Sequence, residues 1–216
     1  NAYKDDKKVI KRYLRGMRLY DQFTTLGIFD ALWLSDEVRT LYANIACRIT
    51  GKDEETTLSF LKRQISANSF YIAFYVLTLH DSSLIATPPL WTMYLEIDGK
   101  KYIPSEIKTV ELPFEYVDFF GSRMSKHKQP YEVKFDRKDM QDQDILKDKK
   151  VMKLFFSTPC HYDSMVWYLD AAGNATSELA KTSPALVDKS YKKEKNKTRV
   201  KPQNEFIETD VTNAEL

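Results

Sequence analysis

The densest run of reactive side chains in this 216-residue sequence is Cys160-His161-Tyr162-Asp163. A thiol activated by an imidazole needs sulfur and ring nitrogen within hydrogen-bonding reach, and a third group to orient the base. Adjacent strand residues point to opposite faces, and Pro159 just before the run marks a loop. It reads first as a turn between two strands, and only second as the nucleophile of a loop-built hydrolase. The three histidines, His80, His127 and His161, would have to converge with Asp81 or Asp163 to hold a metal. No helical H-x-x-x-H and no paired strand spacing brings them together. Lys126 and Lys128 flank His127, which suits a solvated loop better than a cation site.

Paired acids fare no better. Asp5-Asp6 and Glu54-Glu55 sit at helix starts, where the positive end of the helix dipole accounts for them. Glycoside hydrolysis needs a carboxyl whose pKa is raised by apolar surroundings. Only Glu115 and Asp118 approach this, within Phe114-Glu115-Tyr116-Val117-Asp118-Phe119-Phe120, a segment that reads as the aromatic edge of a core. No G-x-S-x-G, P-loop or G-x-G-x-x-G occurs, and six glycines leave little for phosphate-cradling loops. Trp91 and Trp167 invite a ligand-binding reading but suit two plugs of one core. The sequence therefore designates no catalytic, cofactor-binding or metal-binding residue, and no cofactor is expected.

The elements that would position such groups come in two blocks. Val9, Ile10, Tyr13, Leu14 and Met17 form a helical stripe over residues 7–20, and the apolar stretch 24–34 continues that helix or breaks at Gly27. Ser35 is a good N-cap with Asp36 and Glu37 behind it. The next helix places Val38, Leu41, Tyr42, Ile45, Ala46 and Ile49 on one stripe and Thr40, Ala43 and Cys47 on a small-residue face, with Arg39 and Arg48 on the flanks. Gly51 supplies a left-handed stop. A third helix runs from about Asp53 to Ile65, with Leu58, Leu61 and Ile65 inward.

The apolar period then changes from 3.6 to 2. Residues 70–77 are apolar on both faces, as in a central strand covered on both sides. Residues 91–97 alternate, Asp98-Gly99 signals a two-residue hairpin turn, and residues 100–107 return with Pro104 at an edge or bulge. Further strands are expected at 108–112, 131–135, 151–156 and 164–169, with 114–120 a strand or short helical turn and 137–150 a charged connection. About seven strands with turns between them predict an immunoglobulin-like sandwich. The fold class is thus α+β: an N-terminal helical segment over residues 3–68, a β-sandwich over 69–170, and a polar tail over 171–216. Truncation after Asp170 is expected to leave the fold intact.

Composition narrows the classes. Thirteen Tyr, 12 Phe and 3 Trp favour a β-rich core. The net charge of only +2, from 33 basic and 31 acidic residues, argues against nucleic acid as partner. The basic run 189–201 is the exception, and it suggests a cytosolic adaptor or effector as a further alternative. No stretch approaches the roughly 20 apolar residues that span a bilayer. Cys47 and Cys160 match no zinc spacing and are expected to stay unbonded. Asn1-Ala2 reads as a cloning remnant, with the native part starting near Tyr3 after removal of a signal peptide.

Particular residues carry a likeness: Leu19-Tyr20-Asp21, Leu32-Trp33-Leu34-Ser35, Val38-Arg39 and Tyr42-Ala43, then Trp91 with Leu95, Asp98-Gly99, Pro104, Tyr131-Glu132-Val133-Lys134-Phe135 and Trp167. In these the chain resembles a group of bacterial envelope lipoproteins of unknown function, over about two thirds of its length. The resemblance implies a compartment, periplasm-facing or anchored at the outer membrane, and a membrane link only through an N-terminal lipid. It implies no chemistry. An aromatic core without convergent polar groups adds the expectation of a non-enzymatic, structural or protein-binding module whose partner is another envelope protein.

Overall fold

Residues 71–79 present apolar side chains to both faces, and they form the strand on which one sheet is laid. The computed structural model describes residues 2–21, 24–79 and 82–176. His80, Asp81 and the tail from residue 177 onward, with its basic run, lie outside those residues.

The chain begins with α1 (Ala2–Tyr13), β1 (Leu14–Asp21), β2 (Thr24–Trp33), α2 (Asp36–Ile49), α3 (Glu54–Ser66) and β3 (Tyr71–Leu79). Then follow β4 (Thr92–Ile97), β5 (Lys100–Tyr102), β6 (Glu106–Thr109), α4 (Phe114–Phe120), β7 (Lys128–Asp136), β8 (Val151–Ser157) and β9 (Tyr162–Tyr168). The described residues therefore hold four α-helices and two antiparallel sheets, ordered β1-β2-β3-β7-β6 and β5-β4-β8-β9. The class is α+β. No described helix is long and apolar enough to cross a membrane.

The largest departure from the sequence reading lies in residues 14–33. The stripe assigned to a helix over 7–20 ends at Tyr13, and the chain turns into the β1–β2 hairpin, with Leu14 opposite Leu32 and Gly16 opposite Asp30. Met17 and Leu19 point inward while Arg18 and Tyr20 are exposed, a period of two that also fits the apolar spacing. β2 is buried on both faces: Phe29, Ala31 and Trp33 on one, Asp30 and Leu32 on the other. It pairs with β1 and β3 on its two edges, so its continuous apolar run is that of a central strand. The segment 3–68 thus contains two strands as well as helices, and the strand count is nine among the described residues.

Helix α2 is capped as expected, with the Ser35 hydroxyl accepting from the Val38 N–H at 3.3 Å. It ends with Gly51 at φ 62° and the Lys52 N–H on the Cys47 carbonyl at 3.0 Å. Its buried residues, however, are Val38, Arg39, Ala43 and Cys47. Ala43 and Cys47 of the small face and Val38 of the larger stripe are buried, while Ile49 at the far end of that stripe is 65% exposed. α3 starts at Asp53, whose carboxylate accepts from Thr56 N–H at 2.7 Å. It buries no residue fully, and Leu58 is exposed rather than inward. Residues 114–120 take the helical alternative, with Tyr116 and Phe120 buried one turn apart.

The hairpin at Asp98-Gly99 forms as expected. Both residues have positive φ (49° and 76°), as a type I′ turn requires, and Ile97 pairs with Lys100. Leu95 and Ile97 are buried while Glu96 is half-buried on the other face. The return strand is only three residues long, and the chain reaches β6 in the other sheet instead of continuing along 100–107; the strand expected over 108–112 is displaced to Glu106–Thr109.

One core cluster contains residues of both sheets. Phe29 of β2 stacks on Phe156 of β8 with centroids 4.3 Å apart and takes the edge of Trp91 at 4.9 Å. Phe74 of β3 lies 5.4 Å from Trp167 of β9. Trp91 and Trp167 are core plugs, 3% and 0% exposed. Gly27 makes room for the first: a Cβ there would lie 2.6 Å from the Phe29 ring and 2.9 Å from the Trp91 ring. The Trp167 indole N–H donates to the Tyr13 carbonyl at 2.9 Å, tying the end of α1 to the last strand. Past Asp170 the chain turns back, so that Leu169 bridges Ala175, which is fully buried. A truncation that spares the core therefore has to keep residues through 176.

Candidate functional site

Cys160 and His161 occupy the tight turn that joins β8 to β9. The Thr158 N–H donates to the His161 carbonyl at 2.7 Å, and the His161 N–H donates to the Thr158 hydroxyl at 3.0 Å. Cys160 is exposed, and the Asp163 carboxylate accepts the Ser164 N–H at 2.7 Å. Among the described residues no side-chain hydrogen bond joins Cys160, His161 and Asp163. The backbone needs of a turn thus account for the polar partners this run has. Cys47 lies buried on α2, and neither cysteine is bonded.

His127 is exposed, and no three His, Cys, Asp or Glu side chains gather among the described residues. Glu115 and Asp118 both lie on α4, half-buried and exposed respectively, rather than facing each other across a cleft. Asp6 lies on α1, and Glu54 and Glu55 lie in the first turn of α3.

The charged centre of the described fold lies elsewhere, at a residue that sequence reasoning passed over. Asp30, on the second face of β2, has a side chain only 8% exposed. One oxygen accepts from Arg123 Nη1 at 2.7 Å and the other from Lys128 Nζ. Lys128 Nζ also donates to the Arg123 carbonyl at 2.9 Å. Gly16, opposite Asp30 in the hairpin, leaves the space this requires: a Cβ there would lie 2.2 Å from Arg123 Nη1 and 2.5 Å from Asp30 Oδ1. At this glycine a guanidinium crosses the strand. The sequence signal available was a lone acid in an otherwise apolar run, Leu26 to Leu34.

Two cavities meet at this cluster and share Ser122 and Arg123 as a wall. One, of about 410 Å³, lies between α1, α2 and α4, with Ile10, Leu14, Ile45, Phe119 and Phe120 among its lining residues. The other, of about 430 Å³, is polar and runs past Arg18, Asp30 and Lys128. Both volumes fall in the range of small-molecule sites, about 300–1,000 Å³.

The chain matches no protein-family model and no curated protein in sequence.

A second buried polar network holds α2 in place. Arg39, 8% exposed, donates from Nε to the Asn68 side-chain oxygen at 2.8 Å and to the Leu34 carbonyl at 3.2 Å. The Asn68 amide in turn donates to Asp36 at 2.7 Å. Beside it lies a tyrosine cluster. Tyr116 of α4 stacks on Tyr42 of α2 at 4.5 Å and meets Tyr75 of β3 edge-on at 4.8 Å. Burial pushes the Tyr116 phenol well above its ordinary value, against the opposing effect of Arg39. Burial, then the Glu132 carboxylate, pushes Tyr75 up to about 12. Tyr42 is raised for the same first reason, with Glu115 adding to it.

These shifts fix the sign of an alkaline response. Unfolded tyrosines ionise near about pH 10, so above that the unfolded chain releases protons the folded chain retains. Stability is complete below about pH 10 and falls as pH rises toward the folded values. The urea midpoint is expected to be lower at about pH 11 than at about pH 9, and Tyr75→Phe should reduce the difference. A flat midpoint over that interval would count against the buried phenols.

Proposed function

We propose that the chain is a non-enzymatic cell-envelope module that binds another protein or serves structurally. Its scaffold is read as an immunoglobulin-like sandwich with the N-terminal helices against it. The observation that carries the scaffold reading is the strand order. With β1 set aside, β2-β3-β7-β6 and β5-β4-β8-β9 follow the A-B-E-D and C′-C-F-G orders of that fold. The helices are supported by Ile10 and Tyr13 of α1 in the core and by the Tyr42–Tyr116–Tyr75 stack linking α2 and α4 to β3.

Sandwiches of this kind present loops and sheet faces to partners, and interface hot spots favour aromatic side chains. Phe70 and Tyr71 form an exposed aromatic pair at the start of β3, 66% and 38% accessible, with ring centroids 6.5 Å apart. The compartment rests on the resemblance to envelope lipoproteins, and the partner we propose is an envelope protein as well.

The test is complementation of a deletion strain. A chain carrying Cys160→Ala, His161→Ala and Asp163→Ala together is expected to restore function fully. Phe70→Glu is expected to fail at normal abundance and with an unchanged melting temperature. Failure of the triple variant while folded and abundant would favour the loop-built hydrolase.

A further inference from the structure

The two joined cavities beside Asp30 differ in chemistry, and that difference selects a ligand. The one between α1, α2 and α4 has an apolar floor, Ile10, Leu14, Ile45 and Phe119, and carries Lys7, Lys11, Arg48 and Arg123 against Asp6 and Asp118. The polar one adds Arg18 and Lys128 against Asp30. Six bases and three acids thus line a single stretch of surface, a local excess of +3 in a chain whose total is +2. The two halves meet at Arg123. Its side chain remains 40% exposed although Asp30 holds one of its nitrogens. A guanidinium has five N–H donors and suits carboxylate or phosphate, so this one keeps donors for a second anion.

The geometry points to a binding site for one single-chain anionic amphiphile. Its alkyl chain would lie on the apolar floor between α1, α2 and α4, and its carboxylate or phosphate head at Arg123, beside Arg18 and Lys128. A floor of about 410 Å³ suits one such molecule. A partner helix would need apolar anchors along several turns. Burial of the chain supplies affinity in proportion to its length, about fourfold per methylene at most. The basic rim supplies selection by charge. This site is independent of the Phe70–Tyr71 surface and does not require the envelope reading.

Titration calorimetry of the full chain with decyl phosphate, below its micelle concentration, tests the idea. Decyl phosphate is expected to bind at least tenfold more tightly than hexyl phosphate, inorganic phosphate or the neutral decyl maltoside. Arg18→Glu, beside the head, and Lys11→Glu, on the rim, both at exposed positions, are expected to weaken it at least fivefold. Lys62→Glu, on α3 and outside the lining, should leave it unchanged. Ile45→Asp should abolish binding; should it unfold the chain, the Arg18 and Lys11 variants carry the test. Equal affinity for decyl maltoside, or insensitivity to both of those variants, would overturn the assignment. So would attachment to phosphatidylglycerol vesicles, or tight binding of an acidic amphipathic peptide, without binding of decyl phosphate.

Discussion

Trp167→Ala is expected to cost about 3–5 kcal/mol of stability, the range for removing a large aromatic from a packed core. Trp167 is fully buried, its ring lies 5.4 Å from Phe74, and its N–H holds the Tyr13 carbonyl. The substitution therefore opens a cavity and also leaves a buried acceptor unpaired, two costs with different origins. Trp167→Phe separates them: it keeps much of the packing and loses the hydrogen bond, with an expected cost of about 1–3 kcal/mol. Urea unfolding of the three proteins gives both numbers. A loss below about 1 kcal/mol for Trp167→Ala would show that the last strand does not close the core.

Asp30→Ala is the second large effect. It leaves Lys128, only 11% exposed, and Arg123 facing each other without the carboxylate that separates their charges. Breaking a buried ion pair from one side costs about 3–5 kcal/mol. Because Arg123 is partly exposed and can turn to water, the expected loss is about 2–4 kcal/mol. Asp30→Asn retains an acceptor and should fall between. The double variant Asp30→Leu, Lys128→Met replaces charge with apolar volume and should recover much of the loss, as buried pairs often allow. If Asp30→Ala melts like the parent, the cluster contributes nothing to the fold, and its cations are free to serve a ligand alone.

The sequence made the class α+β legible, along with two of the four helices in place, the Asp98-Gly99 hairpin and most of the later strands, because each carried a local signal: a cap, a stop, a turn dipeptide, a change of period. Residues 14–33 escaped because Val9 to Met17 satisfies periods of both 3.6 and 2 in part. Only pairing to β3, some 45 residues further on, decides between them. The same rule that identified β3, apolar on both faces, applied to β2 but was masked by the helical stripe before it. On α2 both faces read from the sequence are used: Ala43 and Cys47 of the small one and Val38 of the larger one are buried. The turn expected at Cys160–Asp163 is present at Cys160 and His161, while Tyr162 and Asp163 already belong to β9. The Asp30 cluster was not legible, because its partners stand 93 and 98 residues away and nothing local announces them.

The bond from Trp167 to the Tyr13 carbonyl joins positions 154 residues apart. Arg15 reinforces it, donating from Nε to the Val166 carbonyl at 2.9 Å and lying over the Trp167 ring. Tension applied through α1 therefore meets the last strand at once, rather than travelling through the intervening chain. The clasp sits where a tether would pull. Such a fold yields at a rate set by how fast that clasp opens, since forced unfolding is governed by the unfolding barrier and not by equilibrium stability. A domain held this way can be modest in stability and still resist load.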